Sequence, residues 1–281
     1  MPIRPAIRSV SVRSVRQRQP PGTFPSVPRD GVFAEDWLAG GYATRRPPIH
    51  SQILDRVTSL QTVPPIDMVL DVGCGAGTST IPLVRRGIGH CVLGVDPSLA
   101  MIRRANREVE EASFLLAAAE ALPFRAGSFG LITAAGSLNY ANIAGFFSEV
   151  TRVLSSEGLL VVYDFATGRR SVQCPELDPW YSEMLQRWPS PNEEAEEVIR
   201  QTFESASLHL VAHETFTVSL GFELDEYLNY LMTESNVGAA VSSGAALTEI
   251  RSWCEEGLRQ FFQGPLPVQF DSYYACLSQR K

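Results

Sequence analysis

Residues 69–77 read VLDVGCGAG, and the reading of this stretch decides how the rest of the chain is understood. Met68, Val69, Leu70 and Val72 make an apolar strand broken only by Asp71. Glycines follow at alternate positions, Gly73, Gly75 and Gly77. Thr78, Ser79 and Thr80 then lead into IPLVRR, whose apolar spacing is helical. Strand, glycine turn and helix is the geometry that brings backbone N–H groups close to a ligand. A dinucleotide-binding GxGxxG would need its third glycine where Thr78 stands. Taken alone, the stretch also reads as a tight strand-to-helix turn with no ligand.

The residues downstream extend the pattern. CVLGVD, residues 91–96, is a second apolar strand ending in Asp96. Asp96 stands 23 positions after Gly73, close to the spacing of about 20 at which an acid takes both ribose hydroxyls. A carboxylate is a two-point acceptor for such a diol; the competing reading of Asp96 is a helix cap. Pro97 and Ser98 open the next helix through Met101, Ile102 and Ala105, with Ser98 as its N-cap. Residues 114–141, FLLAAAEALPFRAGSFGLITAAGSLNYA, contain a third strand, the ALPF segment, a short turn and a fourth strand. Residues 145–165 give a helix with Phe146, Phe147, Val150, Val153 and Leu154 on its apolar face, a turn at 155–158, and a fifth strand. This alternation predicts a Rossmann-like, doubly wound α/β sheet. Further on, LHLVAHETFTVSLGF reads as strand six, ELDEYLNYLMTESNV and ALTEIRSWCEEGLRQFF as helices, and LPVQFDSYYACLSQ as strand seven.

The D-x-G-x-G-x-G run, the acid at Asp96 and the ALPF segment together resemble class I S-adenosylmethionine-dependent methyltransferases of the type 11 family. Upstream, Tyr42, Arg46 and Pro47 form a Y-x3-R-P pattern similar to the N-terminal cap of methyltransferases like trans-aconitate methyltransferase. The resemblance covers residues 32–281 and is strongest over 67–165. It implies seven strands with the last antiparallel, helical cap and lid insertions, and S-adenosylmethionine as cofactor. The cofactor-binding residues it implies are Tyr42, Arg46, Asp71, Gly73, Cys74, Gly75, Gly77, Asp96, Pro97, Met101, Ala119, Glu120 and Ala135. Two departures stand out. Ala118 occupies the end of strand three, where the family carries an adenine-reading Asp, and Gly130 stands where it carries another Asp. With Ala118 there, adenine would be read by the Ala119 backbone and Glu120.

Composition sets the surroundings of this core. Of 281 residues, 44% are hydrophobic, enough to bury a large single domain. The net charge of −7 argues against nucleic acid, whose binders carry a basic face. Five scattered cysteines without a CxxC indicate free thiols and a reducing, cytoplasmic setting. No apolar run approaches the ~18 residues of a membrane span. Residues 1–30 read as a disordered basic tail, with six arginines and no acid before Asp30. That composition also fits a transit peptide. The methyltransferase domain is expected over 31–281, with a cap at 31–62 and a lid insertion at 166–191.

Candidates for the chemistry follow from placement. Tyr140 after strand four, Asp164 at the end of strand five and His50 in the cap are the candidate acid–base residues, with Tyr140 also readable as pocket lining. Trp180 and Tyr181 in the lid are candidate substrate contacts, or ordinary packing of a cap helix. His209 and His213 fall four residues apart on one face of strand six, but no Cys or Asp cluster completes a metal site. The expected reaction is methyl transfer to a small molecule, at O, N or C, in an oligomeric state the sequence does not fix. Two other classes stay open: a non-catalytic protein that binds the adenosyl ligand for regulation or scaffolding, and a nicotinamide-dependent oxidoreductase.

Overall fold

The computed structural model of the chain describes residues 48–60, 66–190 and 208–279. The basic tail and Tyr42 and Arg46 of the cap lie outside the described residues.

Within them, the helices are α1 (Ile49–Leu60), α2 (Thr80–Arg85), α3 (Leu99–Glu108), α4 (Ile143–Val153), α5 (Leu177–Arg187), α6 (Leu224–Leu231), α7 (Ser235–Ser242) and α8 (Leu247–Leu258). The strands are β1 (Met68–Val72), β2 (Cys91–Asp96), β3 (Ser113–Leu116), β4 (Phe129–Ala135), β5 (Leu154–Phe165), β6 (Leu208–Phe222) and β7 (Leu266–Gln279). They form one sheet in the order β3-β2-β1-β4-β5-β7-β6. Strands β1 to β5 pair in parallel, and β7 runs antiparallel to both neighbours. This is the doubly wound sheet the sequence predicts. The chain leaves β1 toward β2 and β3, then returns to β4 on β1's other side. The C-terminal edge of β1 is therefore the topological switch point, where open α/β sheets bind ligands.

The core has two halves, one on each face of the sheet. Val69, Val161 and Tyr163 face one half, which collects Ile49, Ile53 and Leu54 of α1 with the aromatic residues of α5, α6 and α8. Leu70, Val72, Ile132 and Ala134 face the other, against Phe146, Phe147, Val150 and Val153 of α4. Both faces being covered explains why β1 reads as an almost unbroken apolar run. Arg86 ties α1 to the end of α2 through Asp55 Oδ1 (2.8 Å) and the Ser51 carbonyl (2.9 Å).

Two expectations are corrected. The turn at 155–158 is an irregular opening of β5: Phe129 pairs with Leu154, then Leu131 with Leu159, so the extra residues bulge from the ladder. In β6 the register slips between Leu210 and Ala212. His209 stands opposite Ser278 and His213 opposite Ala275, partners of opposite parity on β7. The bulge therefore puts the two histidines on opposite faces, because a one-residue shift reverses every side chain. His209 bonds Ser278 Oγ (3.1 Å), while His213 lies by the Tyr273 ring. Among the described residues no group of His, Cys, Asp and Glu could hold a metal ion.

Candidate functional site

Strand β1 ends in the glycine turn. Gly73 N and Cys74 N both donate to Val95 O, at 2.8 and 3.0 Å, which latches the turn onto β2. Two positions admit glycine alone. Gly73 has φ +71°, and a Cβ there would stand 2.2 Å from Ser137 Cβ. Gly77 has φ +91°, and a Cβ there would meet Val109 Cγ2 at 2.9 Å. The turn is thus held against Ser137, beyond β4, and Val109, at the end of α3. Ser137 Oγ donates to Val72 O (3.0 Å), fastening that wall to β1.

Two carboxylates flank the turn and are held differently. Asp71 is wholly buried. Its oxygens accept from Ser79 Oγ (2.7 Å), Thr80 Oγ1 (2.7 Å) and Thr133 Oγ1 (2.8 Å). Burial pushes its pKa above the ordinary 3.8, and the three hydroxyls pull it back. Asp71 and Thr133 are register partners on β1 and β4, so their side chains share a face. Asp71, expected in the cofactor set, is through these bonds a bolt joining β1, β4 and the first turn of α2. Its three hydroxyl partners went unrecognised in the sequence. Ser79 and Thr80, polar at the start of an apolar helix, carried a signal; Thr133 carried none without the register.

Asp96, at the end of β2, lies toward the turn. Its Oδ2 accepts from Gly75 N (3.0 Å) and its Oδ1 from Ser98 N (2.8 Å). Burial raises its pKa; the Ser98 and Gly75 amides lower it, and nearby Asp71 adds a small upward push. Each carboxylate oxygen retains a lone pair beyond the amide it accepts, so the group can still take a diol. Cys74 is buried beneath the turn, its thiol pushed well up by burial and then by Asp71 and Asp96. It is packing rather than a nucleophile. Pro97 is exposed, and Met101 is buried in the first turn of α3, where its N–H donates to Ser98 Oγ (3.4 Å).

Beyond β3 the chain passes through half-buried Ala119 to Glu120. The Glu120 carboxylate, expected beside adenine, accepts from Asn142 N at the start of α4. A carboxylate is favoured at the N-terminal end of a helix, where unpaired N–H groups converge. The ALPF segment that follows is strapped to α4: Glu149 Oε2 accepts from Leu122 N (2.7 Å), and Arg152 donates to Phe124 O (2.7 Å) and Leu122 O (2.9 Å). Arg152 in turn holds the Glu149 carboxyl below its usual pKa.

At the ends of β4 and β5, half-buried Ala135 precedes a cleft lined by Gly136, Asn139, Asp164 and Tyr273. Asp164 accepts from Phe165 N (2.8 Å) and from Asn139 Nδ2 (3.4 Å). Tyr140 is in the same short helical turn as Asn139 and is 39% exposed. His50 is placed apart from them. Its ring packs edge-on against Tyr163 and Phe165, and its Nδ1 is 3.2 Å from Tyr163 Oη. Strand alternation turns Asp164 away from the side those two rings occupy. Asp164 is thus tied to Asn139, the neighbour of Tyr140 in the short helical turn, while His50 lies across the strand.

Trp180 and Tyr181 of α5 are both buried. Trp180 stacks on Trp253 at 5.6 Å, Trp188 meets the same ring edge-on at 5.2 Å, and a Cβ on Gly257 would strike Trp180 Nε1. The expected pocket roof is a packed seam between α5 and α8, of the kind the alternative reading of these rings described.

Comparison with known proteins agrees with this geometry. Residues 69–158 match the family described as "Methyltransferase domain". The chain is 38% identical over 102 residues to the demethylmenaquinone methyltransferase of Thermus thermophilus, covering 34% of this chain and 46% of that protein. It is 32% identical over 102 residues to the 18S rRNA (guanine-N(7))-methyltransferase bud23 of Schizosaccharomyces pombe, covering 35% and 37%. The chain thus spans less than half the length of either relative. A solved structure described as a type II methyltransferase from Anaeromyxobacter dehalogenans superposes with a TM-score of 0.62 at 22% identity, covering 84% of this chain and 97% of the other. These matches carry the broad family and not the finer likeness to trans-aconitate methyltransferase. The glycine turn, Asp96, β1 from Val69 onward and strands β2 to β4 all fall within the residues 69–158 that match the methyltransferase-domain family, on a sheet of the order described above.

Proposed function

We propose that the chain transfers a methyl group from S-adenosylmethionine to a small-molecule acceptor. The observation that carries this reading is Asp96: a carboxylate at the end of β2, bonded to the Gly75 amide of the turn, at the switch point of the sheet. The residues present fit the cofactor. Gly75 of the turn has open space where a Cβ would stand, and Asp96 keeps acceptor capacity toward a ribose diol. When bound, S-adenosylmethionine supplies a sulfonium methyl to a nucleophile approaching in line. The chain's main task is then alignment, an effect of about 7–11 kcal/mol in well-oriented reactions. A proton acceptor is needed only for an acceptor protonated at working pH. Asp164 and Tyr140 flank the end of β5 and β4 and are the candidates there; His50 across the strand would act from the cap side.

The acceptor's atom is left open between O, N and C. The charge of −7 favours a small molecule over nucleic acid, although one relative is named for rRNA. All five cysteines are unpaired, in keeping with a reducing compartment such as the cytoplasm. No helix among the described residues is long and apolar enough to cross a membrane. Ala118 and Gly130 favour the second reading, a protein that binds the adenosyl ligand without turnover. Thermal melting with S-adenosylmethionine and with NAD tests the cofactor: stabilisation by the first alone is expected, and by NAD alone would overturn the proposal. Release of S-adenosylhomocysteine with any acceptor would separate catalysis from binding.

A further inference from the structure

Resting on the methyl-transfer reading above, we propose that Tyr163 is a positioning residue: it holds His50 as the tautomer with its proton on Nε2, so that His50 meets the methyl acceptor as a hydrogen-bond donor and not as a base. Tyr163 lies at the level of the site. It is the register partner of Ala135, the last residue of β4, and its carbonyl accepts from Gly136 N (2.9 Å). Its side chain takes the face of the sheet that α1 covers, with Ile49 and Ile53. His50, in the first turn of α1, is half-buried, with Nδ1 3.2 Å from the Tyr163 hydroxyl. Phe165 fixes the ring from a second side, edge-on at 5.4 Å between centroids.

One hydrogen lies between Nδ1 and the phenolic oxygen, and burial decides which atom carries it. Tyr163 is 1% exposed, and His50 is the one hydrogen-bond partner of its hydroxyl among the described residues. Burial, then the charges of Asp71 and Asp164, push its pKa well up against a smaller pull from Arg86, so the phenol keeps its proton. If Nδ1 carried a hydrogen, that N–H would take the phenolic oxygen. The phenolic hydrogen would then be buried without an acceptor, at the full cost of its lost hydration. With the phenol donating to Nδ1, that hydrogen is paired and only oxygen lone pairs are spare, which folded proteins tolerate better. Neutral imidazole has one lone-pair nitrogen and one N–H. Its lone pair is committed to Tyr163, so the N–H is at Nε2. His50 then has no lone pair with which to take a proton, which sets it apart from Asp164 and Tyr140. What it offers is a donor to a lone pair of the acceptor molecule, a contact that helps to set the line of attack.

Long-range proton–nitrogen correlation NMR of the full chain, isotope-labelled at its four histidines, reads the tautomer directly. At a pH of about 8.5, above the ordinary imidazole range, the imidazoles are neutral. The signals of His50 are those lost in His50→Gln. A protonated Nε2 and an unprotonated Nδ1 are expected; a protonated Nδ1 in the parent chain overturns the inference. In Tyr163→Phe the Nδ1 signal should move, because its donor is gone, and an unmoved signal in that variant, if folded, removes Tyr163 from the role. Should the variant not fold, the parent spectrum still decides. Turnover supplies the second readout, with any acceptor that releases S-adenosylhomocysteine. His50→Ala should lower it by about tenfold or more, the loss of one hydrogen bond. His50→Gln, which keeps an N–H donor but has no basic nitrogen, should recover most of that loss. A fall of about a hundredfold or more in both variants marks a base and overturns the donor role. Failure of S-adenosylmethionine to stabilise the chain would instead sink the methyl-transfer reading, with the tautomer still measurable.

Discussion

The glycine turn and the aromatic cap adjoin the same sheet, yet their side chains are fixed by opposite means. At the turn, direction rules. Asp71 takes three hydroxyls at 2.7–2.8 Å, Asp96 takes two amides, and Gly73 adopts a backbone angle that other residues avoid. At the cap, bulk rules. Trp180, Trp188 and Trp253 interlock, Arg187 lies over two of those rings, and Met184 Sδ meets Cys254 Sγ at 4.0 Å. A directional network specifies residue types one by one, whereas a packed seam specifies only volume and apolarity. The first can be read from a sequence as chemistry. The second can be read as burial, without saying what is buried against what.

Substitutions at the two places should behave accordingly. The largest effect is expected at the cap: Trp180→Ala should lower stability by about 4 kcal/mol, since it empties a filled seam. Urea unfolding would show it, and an unchanged midpoint would return Trp180 to the role of substrate lid. Gly73→Ala comes next, at about 3 kcal/mol, because it adds left-handed strain to a collision with Ser137. A native-like melting curve for this variant would mean the turn yields more readily than its contacts imply. Thr133→Val removes one of the hydroxyls on buried Asp71 and should lower stability by about 1–2 kcal/mol. That loss should come without a change in ligand affinity, which separates Asp71's structural role from a cofactor contact. The smallest effect is expected for Trp180→Phe, within about 1 kcal/mol of the parent. It keeps a ring and drops an indole N–H that has no partner among the described residues.

Much of this was legible in the chain itself. The limits of β1 and β2 and the start of α3 at Ser98 follow from apolar runs and punctuation, whereas the antiparallel direction of β7 is what the family resemblance implies. The place of Asp96 at the end of β2 was legible from the apolar run before it. What escaped depended on register. Thr133 meets Asp71 across strands 62 residues apart in sequence. The β6 bulge separated two histidines that strict alternation would have kept together. Glu120 was placed near adenine by its position after β3, and its bond to the amide at the start of α4, 22 residues further on, could not be read from the sequence. Trp180 and Tyr181 looked like a lid because the sequence around them lacks sheet periodicity, and Trp253 of α8, on which Trp180 stacks, lies some 70 residues further along the chain.

The central claim is that the two carboxylates beside the turn divide their work: Asp71 builds the site and Asp96 holds the ligand. Calorimetric titration of S-adenosylmethionine into the parent chain and into Asp96→Ala tests it most directly. The variant is expected to bind at least about tenfold more weakly, the loss of a charged hydrogen-bond acceptor, while remaining folded. Equal affinity in the two proteins would contradict the assignment of the ribose site to Asp96.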